Sequence, residues 1–274
     1  MATVSIHKPG IRAGDTVTIP NVRKASGFAE LLGAFALVQE NYVRLRYKGP
    51  DTGLYHFNLY NLHPRTRTLV GVLDGVITGT CTLVPDSEMG LPFAGVFPDV
   101  YESIRREGHR PCEATMLADR RMSLVRSWPQ LRAIFRLVLE VAKHQQLTRL
   151  LVLCHPHHAT FYLHRLPFEQ AADVRPCPHV GGSPAVPLVL DLTPPGLIGQ
   201  IDEALDHWGA AVEGDDAAHP EYQLNDQRAA ALVAINPPVL REAPPVQRRV
   251  IEACYPTLHR RLRFLDVGQF LLCL

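Results

Sequence analysis

The sequence has no long uninterrupted apolar segment. No stretch approaches the ~20 apolar residues that a membrane-spanning helix needs, and the apolar C-terminal segment is broken by Arg263, Asp266 and Gln269. Residues 1–18 carry charged side chains, among them Lys8, where a secretory signal peptide requires a continuous apolar core. We therefore expect no membrane span and a cytoplasmic protein.

The chain also has no excess of charge of either sign. Lysine and arginine total 28, against 27 for aspartate and glutamate, so no global field attracts nucleic acid or an anionic membrane. The cysteines do not form the close pairs of a disulfide framework or of a CxxC site for metal or redox chemistry. They are Cys81, Cys112, Cys154, Cys177, Cys254 and Cys273. We predict no permanently bound cofactor and no metal.

Three catalytic signatures are missing as well. The sequence contains no Gly-x-Ser-x-Gly turn, no Walker A loop and no Gly-x-Gly-x-x-Gly turn. It therefore gives no support to a serine hydrolase of the α/β type, a P-loop NTPase or a dinucleotide-binding enzyme.

The apolar pattern that is present predicts an α/β fold. Helical periodicity over residues 27–46 is followed by two β-rich runs, 68–73 and 76–84, which Asp74 and Gly75 join. Asp-Gly between β-forming residues is a strong hairpin signal. The first half of the chain should thus begin with an amphipathic helix and a β-hairpin.

Two further helices have recognisable starts. Asp99 is expected to cap a short helix that ends at Arg106. Ser127 with Gln130 three residues later has the pattern of a capping box, which predicts a long helix ending near His144.

The remaining elements alternate in type, as in an α/β sandwich. They are a strand at 149–154, a helix at 159–165, a strand at 186–192 and a helix at 196–208. Beyond Gly209 a linker and several prolines surround two short predicted helices. We predict a main domain over residues 1–210 and a C-terminal extension over 211–274 that packs on it.

A carboxylate lies in the middle of the predicted strand 111–119. Period-2 alternation places Glu113 on one face, and Cys112, Ala114, Met116 and Ala118 together on the other face. An acidic side chain in such a position is unusual and needs a reason.

Three groups of residues carry a family resemblance by their order and spacing. They are the helix end 42–47 with the hairpin 78–84 and loop 86–92, the strand 112–118, and the Phe-Tyr segment 155–168. Over residues 25–191 the chain resembles the N-acyl amino acid synthases, a branch of the GNAT acyltransferases related to the homoserine-lactone autoinducer synthases. The resemblance implies a GNAT-like mixed, mostly antiparallel central sheet flanked by helices, with a C-terminal helical extension.

The same resemblance implies a reaction and a catalytic residue. A long-chain fatty acyl group would pass from a thioester to the α-amine of an amino acid or similar small amine. Glu113 stands at the position of the family's acidic active-site residue, and partial burial would raise its pKa so that it accepts the amine proton. The alternative is a structural carboxylate paired with Arg110 or Arg120.

The expected donor is an acyl carrier protein. Acyl-CoA enzymes of this superfamily usually hold the pyrophosphate in a glycine-rich turn at a helix N-terminus, and segment 119–127 contains no glycine. Arg120, Arg121 and Arg126 could instead bind the phosphopantetheine phosphate and the acidic surface of the carrier protein. The acyl chain needs an apolar groove, for which the candidate lining residues are Leu91, Phe93 and Phe97.

Three other interpretations stay open. Homoserine-lactone synthesis is disfavoured because the related family uses an early tryptophan and this chain has none before Trp128. A degenerate acyltransferase fold could bind an acyl chain or a protein through the extension after residue 210. A zinc site is disfavoured because its candidate ligands follow no familiar spacing; they are His155, His157, His158, Cys177 and His179.

Overall fold

The computed structural model describes residues 3–4, 17–18, 20–121, 124–205 and 222–263, with side chains over 20–121, 127–205 and 222–263. The strands are β1 Thr3–Val4, β2 Val17–Thr18, β3 Asn21–Lys24, β4 Arg67–Leu73, β5 Val76–Pro85, β6 Pro111–Asp119, β7 Arg149–Cys154, β8 Phe168–Gln170, β9 Arg175–Cys177 and β10 Ser183–Asp191. The helices are α1 Phe28–Arg44, α2 Pro98–Arg106, α3 Leu124–His144, α4 Pro156–Arg165, α5 Leu197–Leu205, α6 Asp226–Ile235, α7 Pro238–Arg241, α8 Pro245–Cys254 and α9 Leu258–Leu262.

An eight-stranded sheet organises these elements. Its order is β3-β4-β5-β6-β7-β10-β8, and β9 pairs with another part of β10. Neighbouring strands run antiparallel except β6 and β7, which are parallel and connected through α3. β1 and β2 form a separate antiparallel pair. The mixed, mostly antiparallel sheet expected from the sequence is confirmed.

The predicted hairpin between β4 and β5 is confirmed. Asp74 and Gly75 both have positive φ, 51° and 77°, which is the geometry of the type I′ turn that matches the twist of two antiparallel strands. The hairpin forms the middle of the sheet together with β6.

Helices cover both faces of the sheet. On one face, α3 contributes Ile134 and Val138 to an apolar cluster with Leu150 of β7 and Leu188 of β10. On the other face, α1 packs with the C-terminal helices, whose Leu232, Ile251 and Leu258 share its cluster. The chain therefore buries α1 between the sheet and its own C-terminal segment.

The face assignment along β6 is only partly correct. Cys112 and Ala114 do pack on the α3 side, but Met116 and Ala118 belong to the cluster around α1. The register with β5 shifts between Thr80 and Thr82, and Met116 has φ 54°. A β-bulge adds one residue to the strand and moves all later side chains to the opposite face.

Two predicted helix caps are wrong. Helix α2 begins at Pro98 with Phe97 at its N-cap, and Asp99 instead accepts two hydrogen bonds from Arg175, of 2.6 and 2.8 Å. Helix α3 begins at Leu124 and not at Ser127. In both cases a partner outside the helix binds the side chain that was expected to cap it.

The partner of Ser127 is Asp119, the last residue of β6. Asp119 is 8% exposed and accepts hydrogen bonds from the Ser127 hydroxyl, from Gln130 Nε2 at 2.6 Å and from the Arg121 N–H at 2.8 Å. Gln130 also accepts a hydrogen bond from the Thr78 hydroxyl at 2.5 Å. This buried network, called here the Asp119 network, fixes the start of α3 against the end of β6.

The C-terminal segment contains four helices, α6 to α9, among its described residues, where two were predicted. Tyr255 donates a hydrogen bond of 2.6 Å to the carbonyl of Leu62, so the segment is bound to the main body by polar as well as apolar contacts. The predicted domain division at residue 210 falls within 206–221, outside the described residues. Within the described ranges no helix is long and apolar enough to cross a membrane.

The Asp119 network leads to a stability prediction at Gly79. A Cβ on Gly79 would overlap the amide of Gln130, which cannot move away without losing its bonds to Asp119 and Thr78. We expect Gly79→Ala to lower the free energy of unfolding by ~1–3 kcal/mol, measured by chemical denaturation. Gly199→Ala is the control, because no atom lies within 4 Å of its new Cβ and the residue is in α5. Equal stability of Gly79→Ala and wild type would contradict the packing.

Candidate active site

Glu113 lies where the sheet divides. It pairs with Val84 on β5 and with Leu151 on β7, and it is the last residue of β6 that pairs with β7. β7 continues to Cys154, where β10 alone accompanies it. Beyond Glu113 the two parallel strands therefore part, and the sheet opens beside this residue.

The Glu113 carboxyl group is held by a backbone donor from another part of the chain. The N–H of Phe93 donates a hydrogen bond of 2.6 Å to Glu113 Oε2. Phe93 lies in the first turn of a short 3-10 helix, Pro92–Gly95, with Leu91 at its N-cap. Amides in a first helical turn have no partner within the helix, so this one is available to the carboxyl group.

The surroundings of Glu113 change its acidity. Only 2% of the residue is exposed, and this burial raises its pKa to about 8, against the opposing effect of the Phe93 N–H. Among the described side chains Glu113 forms no ion pair. Burial without a cation keeps much of the carboxyl group protonated near neutrality.

The interpretation of Glu113 as an ion-paired structural carboxylate is therefore wrong. Arg110 donates to Gln146 Oε1 at 3.2 Å and to the Gln145 carbonyl at 3.0 Å. Arg120 donates to the Ile77 carbonyl at 3.2 Å and lies 3.5 Å from Glu40.

The backbone next to Glu113 is strained. Met116, three residues along β6, is one of the few non-glycine residues with positive φ, a conformation that costs of order 1–3 kcal/mol. Such strain persists where the surrounding structure enforces it and is concentrated at functional sites. The bulge and the parting of β6 from β7 thus occur within one short stretch.

Three residues near Glu113 were not assigned to this site from the sequence, and Cys177 was considered only as a zinc ligand. Burial raises the pKa of Tyr42 and of Tyr60 to about 12, and the charge of Glu113 contributes to both shifts. Burial also raises the pKa of Cys177, again with a contribution from Glu113. Tyr42 lies on the apolar stripe of α1, so its periodicity indicated a core residue and concealed its position at the site.

The C-terminal segment reaches the same region. Gln247 of α8 donates hydrogen bonds to the Tyr60 hydroxyl at 2.9 Å and to the Met89 carbonyl at 3.0 Å. Tyr60 and Met89 lie in the loops before and after the β4–β5 hairpin, and the second loop leads into the 3-10 helix that binds Glu113. The extension therefore supports one wall of the site.

The predicted phosphate-binding arginines lie at the other end of β6. Arg120 is exposed, and Arg121 is half-buried with its N–H bound to Asp119. Arg126 lies in the first turns of α3, and its side chain is outside the described residues. Their binding role stays a prediction.

The residues predicted to bind the acyl chain lie in the apolar cluster next to Glu113. Leu91, Phe93 and Phe97 are at most 1% exposed and share a cluster with Val84 and Leu151, the two residues opposite Glu113. An acyl chain would reach these side chains only if the cluster opened. Their contact with the acyl chain stays a prediction.

The histidines considered as zinc ligands are exposed on or next to α4 and the 3-10 helix Pro178–Val180. Within the part of the chain that the structure describes, no three His, Cys, Asp or Glu residues are placed to hold a metal ion.

Comparisons with known proteins agree with the fold and identify a family. Residues 33–191, more than half of the chain, match the family model described as N-acyl amino acid synthase FeeM. The solved structure of FeeM, an N-acyl amino acid synthase from uncultured soil microbes, is 23% identical, with a TM-score of 0.56, and the match covers 64% of this chain and 92% of that one. The search of curated proteins found no significant match.

A second solved structure has a similar fold. BjaI, a CoA-dependent acyl-homoserine lactone synthase, is 13% identical with a TM-score of 0.50, and the match covers 70% of this chain and 91% of BjaI. At these identities the two structures indicate the fold alone. The GNAT-like architecture expected from the sequence is confirmed.

The raised pKa of Glu113 predicts a pH-dependent cost to stability. An unfolded chain releases this proton near pH 4.5 and the folded chain near pH 8, so the free energy of unfolding falls as pH rises between these values. Glu113→Gln keeps an acceptor for the Phe93 N–H and lacks this cost. We expect the variant to gain stability over wild type from pH 5 to pH 8, by at most ~5 kcal/mol, in denaturation curves. Glu102→Gln, at an exposed position of α2, should show no such gain. If the free energy of unfolding of Glu113→Gln changed with pH in the same way as that of Glu102→Gln, the burial of a titrating carboxyl group at Glu113 would be refuted.

Proposed function

The chain belongs to the N-acyl amino acid synthase family and is an N-acyltransferase, and we propose that it transfers a long-chain fatty acyl group from an acyl carrier protein thioester to the α-amine of an amino acid or similar small amine. The observation that carries this proposal is the buried, unpaired carboxyl group of Glu113 at the point where β6 and β7 part.

The chemistry requires a base at this position. An amine attacks the thioester carbonyl only when its nitrogen is unprotonated. As the C–N bond forms, Glu113 accepts a proton from the nitrogen, directly or through a water. The tetrahedral intermediate collapses by breaking the C–S bond, and the departing phosphopantetheine sulfur takes up the proton. Since the pKa of Glu113 is raised to about 8, it is close to that of a working base at physiological pH.

The gap between β6 and β7 could hold the phosphopantetheine arm of the acyl donor. β6 and β7 are parallel and their pairing ends at Glu113, so the gap between them lies toward the C-terminal ends of both strands. An extended phosphopantetheine arm in this gap would place its thioester at Glu113 and its phosphate near Arg120 and Arg121. The Asp119 network supports this geometry because it holds the backbone of Arg121 and the start of α3 in place.

The surface at the C-terminal end of β6 suits an acidic carrier protein. Glu40 near the end of α1 lies 3.5 Å from Arg120, and Arg44 follows Glu40 by one helical turn on the same face. Arg44 and Arg120 are exposed and Arg121 is half-buried. Clustered arginines favour association with a negatively charged partner and bind phosphate well.

The test of the reaction compares wild type with Glu113→Gln. We expect bacteria that express the wild type to accumulate long-chain N-acyl amino acids, detected by mass spectrometry of lipid extracts, and the Gln variant to lose ~10²–10⁴-fold in turnover. With purified enzyme, kcat/KM should rise with pH through about 8, because only the deprotonated carboxylate acts as base. The folded Gln variant should lack this rise of kcat/KM with pH. An active Glu113→Gln enzyme would eliminate Glu113 as the base, and acyl-homoserine lactones in the extract would indicate the lactone-forming reaction.

The test of the donor uses arginines at the two ends of β6. We expect Arg120→Ala and Arg121→Ala each to raise the KM for acyl carrier protein roughly three- to tenfold, more at low salt than at high salt. Arg110→Ala is the matched control, because Arg110 is exposed and directly precedes the other end of β6. Equal use of acyl-CoA and acyl carrier protein by the wild type, with no effect of the two variants, would contradict the proposed donor.

A further inference from the structure

Helix α8 of the C-terminal segment is anchored on the short 3-10 helix Leu59–Leu62. The hydroxyl of Tyr255, which directly follows α8, donates a hydrogen bond of 2.6 Å to the Leu62 carbonyl. Ile251 of α8 is fully buried in the apolar cluster that surrounds α1. The helix therefore has a defined position against the loop that precedes β4.

Gln247, in the first turn of α8, bridges two loops of the main body. Its Nε2 donates hydrogen bonds to the Tyr60 hydroxyl oxygen at 2.9 Å and to the Met89 carbonyl at 3.0 Å. The direct hydrogen bond from the Tyr60 hydroxyl to the Met89 carbonyl is 3.5 Å long, which is weak for an O–H donor and a carbonyl oxygen. The two shorter bonds from one amide therefore hold the Met89 carbonyl in place beside Tyr60.

The Met89 carbonyl lies four residues before Phe93, whose N–H binds the Glu113 carboxyl group. Gly90, with φ 74°, turns the chain after Met89, and its N–H donates to the Ser87 carbonyl at 3.0 Å. The 3-10 helix that contains Phe93 follows directly. A shift of the Met89 carbonyl is therefore transmitted through a short, turned segment to the Phe93 N–H.

The other end of this loop is held by helix α2. Asp86 accepts a hydrogen bond of 2.6 Å from the Tyr101 hydroxyl and pairs with Arg105 at 3.1 Å. The Asp86 N–H donates to the Pro111 carbonyl at 3.0 Å. Helix α2 thus fixes the start of the loop, and Gln247 fixes the part that enters the 3-10 helix.

Tyr60 connects this contact to the apolar surroundings of Glu113. Its ring packs against the cluster around α1 and also against the cluster that contains Phe93, Val84 and Leu151. Val84 and Leu151 are the strand partners of Glu113. The hydroxyl group that α8 binds therefore belongs to a side chain that packs next to the site.

We propose that Gln247 is a positioning residue for the acyl transfer. By holding the Met89 carbonyl, it keeps the Phe93 N–H at hydrogen-bonding distance from the Glu113 carboxylate. An N–H donor favours the ionised form of a carboxyl group, and only the ionised form accepts a proton from the amine. The inference rests on the role of Glu113 proposed above. It gives a part in catalysis to a segment that lies beyond residue 191, where the family match ends.

The other titratable groups near Glu113 stay uncharged where it titrates. Burial raises the pKa of Tyr42 on α1, of Tyr60, of Cys112 on β6 and of Cys177 on β9, with a contribution from the charge of Glu113 in each case. Among these groups only Glu113 changes its charge near pH 8. Titration of the acceptor amine is common to all variants, so a difference between variants reports the protein.

The experiment compares the pH dependence of kcat/KM in the wild type and in Gln247→Leu, which removes the donor at similar volume. We expect the rise of kcat/KM to move to higher pH, because a loosened Phe93 N–H opposes the effect of burial less. At pH 7 the variant should lose about three- to tenfold, which corresponds to a shift of about half to one pH unit. The loss should shrink at pH values above the shifted rise. Gln247→Met should behave in the same way, and Arg249→Leu, at an exposed position of the same helix, should keep the wild-type profile.

A stability measurement makes the test independent of turnover. The free energy of unfolding of each protein is compared with that of its matched Glu113→Gln variant across pH. The fall in stability caused by Glu113 should extend to higher pH in Gln247→Leu than in the wild type.

The outcomes separate this inference from the proposed function. A rise of kcat/KM that stays in place or moves to lower pH in Gln247→Leu, or an equal loss at every pH, would overturn the positioning role and leave the N-acyltransfer intact. Absence of any N-acyl product from the wild type, together with the expected shift in stability, would overturn the proposed function and leave the effect of Gln247 on Glu113 standing.

Discussion

The hydrogen bond from the Phe93 N–H to the Glu113 carboxyl group joins the middle of the sheet to the loop that covers it. Because Glu113 is buried and no described cation pairs with it, this amide compensates for part of the hydration that the carboxyl group loses on folding. The short helix that presents Phe93 also supports His179 over Gly95. This loop therefore supplies both the N–H that opposes the rise in the pKa of Glu113 and a close contact with His179.

Two buried carboxyl groups on β6 differ in their surroundings. Asp119 accepts hydrogen bonds from two side chains and one backbone N–H, which favour its position as a fixed structural acceptor. Glu113 has one backbone donor and apolar neighbours, so burial dominates its pKa. The strand thus carries the proposed base near one end and a hydrogen-bonded structural carboxylate at the other, with the Met116 bulge between them.

The segment beyond the family match is part of this arrangement. The match ends at residue 191, and α6 to α9 follow it. These helices cover α1, and Gln247 binds both Tyr60 and the Met89 carbonyl. Since α1 also provides Tyr42 to the site, contacts from the C-terminal segment act on the same helix and loop that surround Glu113. The family architecture is here combined with an additional layer.

The sequence by itself determined the repeating elements, because periodicity and turn chemistry are local: α1, the Asp74-Gly75 hairpin, β6 and the unusual carboxylate at 113 could all be predicted. Only the tertiary structure decided which groups meet. The bulge at Met116 depends on register with β5, so the alternation along β6 could not reveal the change of face. The donor to Glu113 is a main-chain N–H twenty residues away, which no side-chain pattern encodes. Asp99 and Ser127 looked like caps because the capping pattern contains no information about Arg175 or Asp119, the partners outside the pattern that bind them.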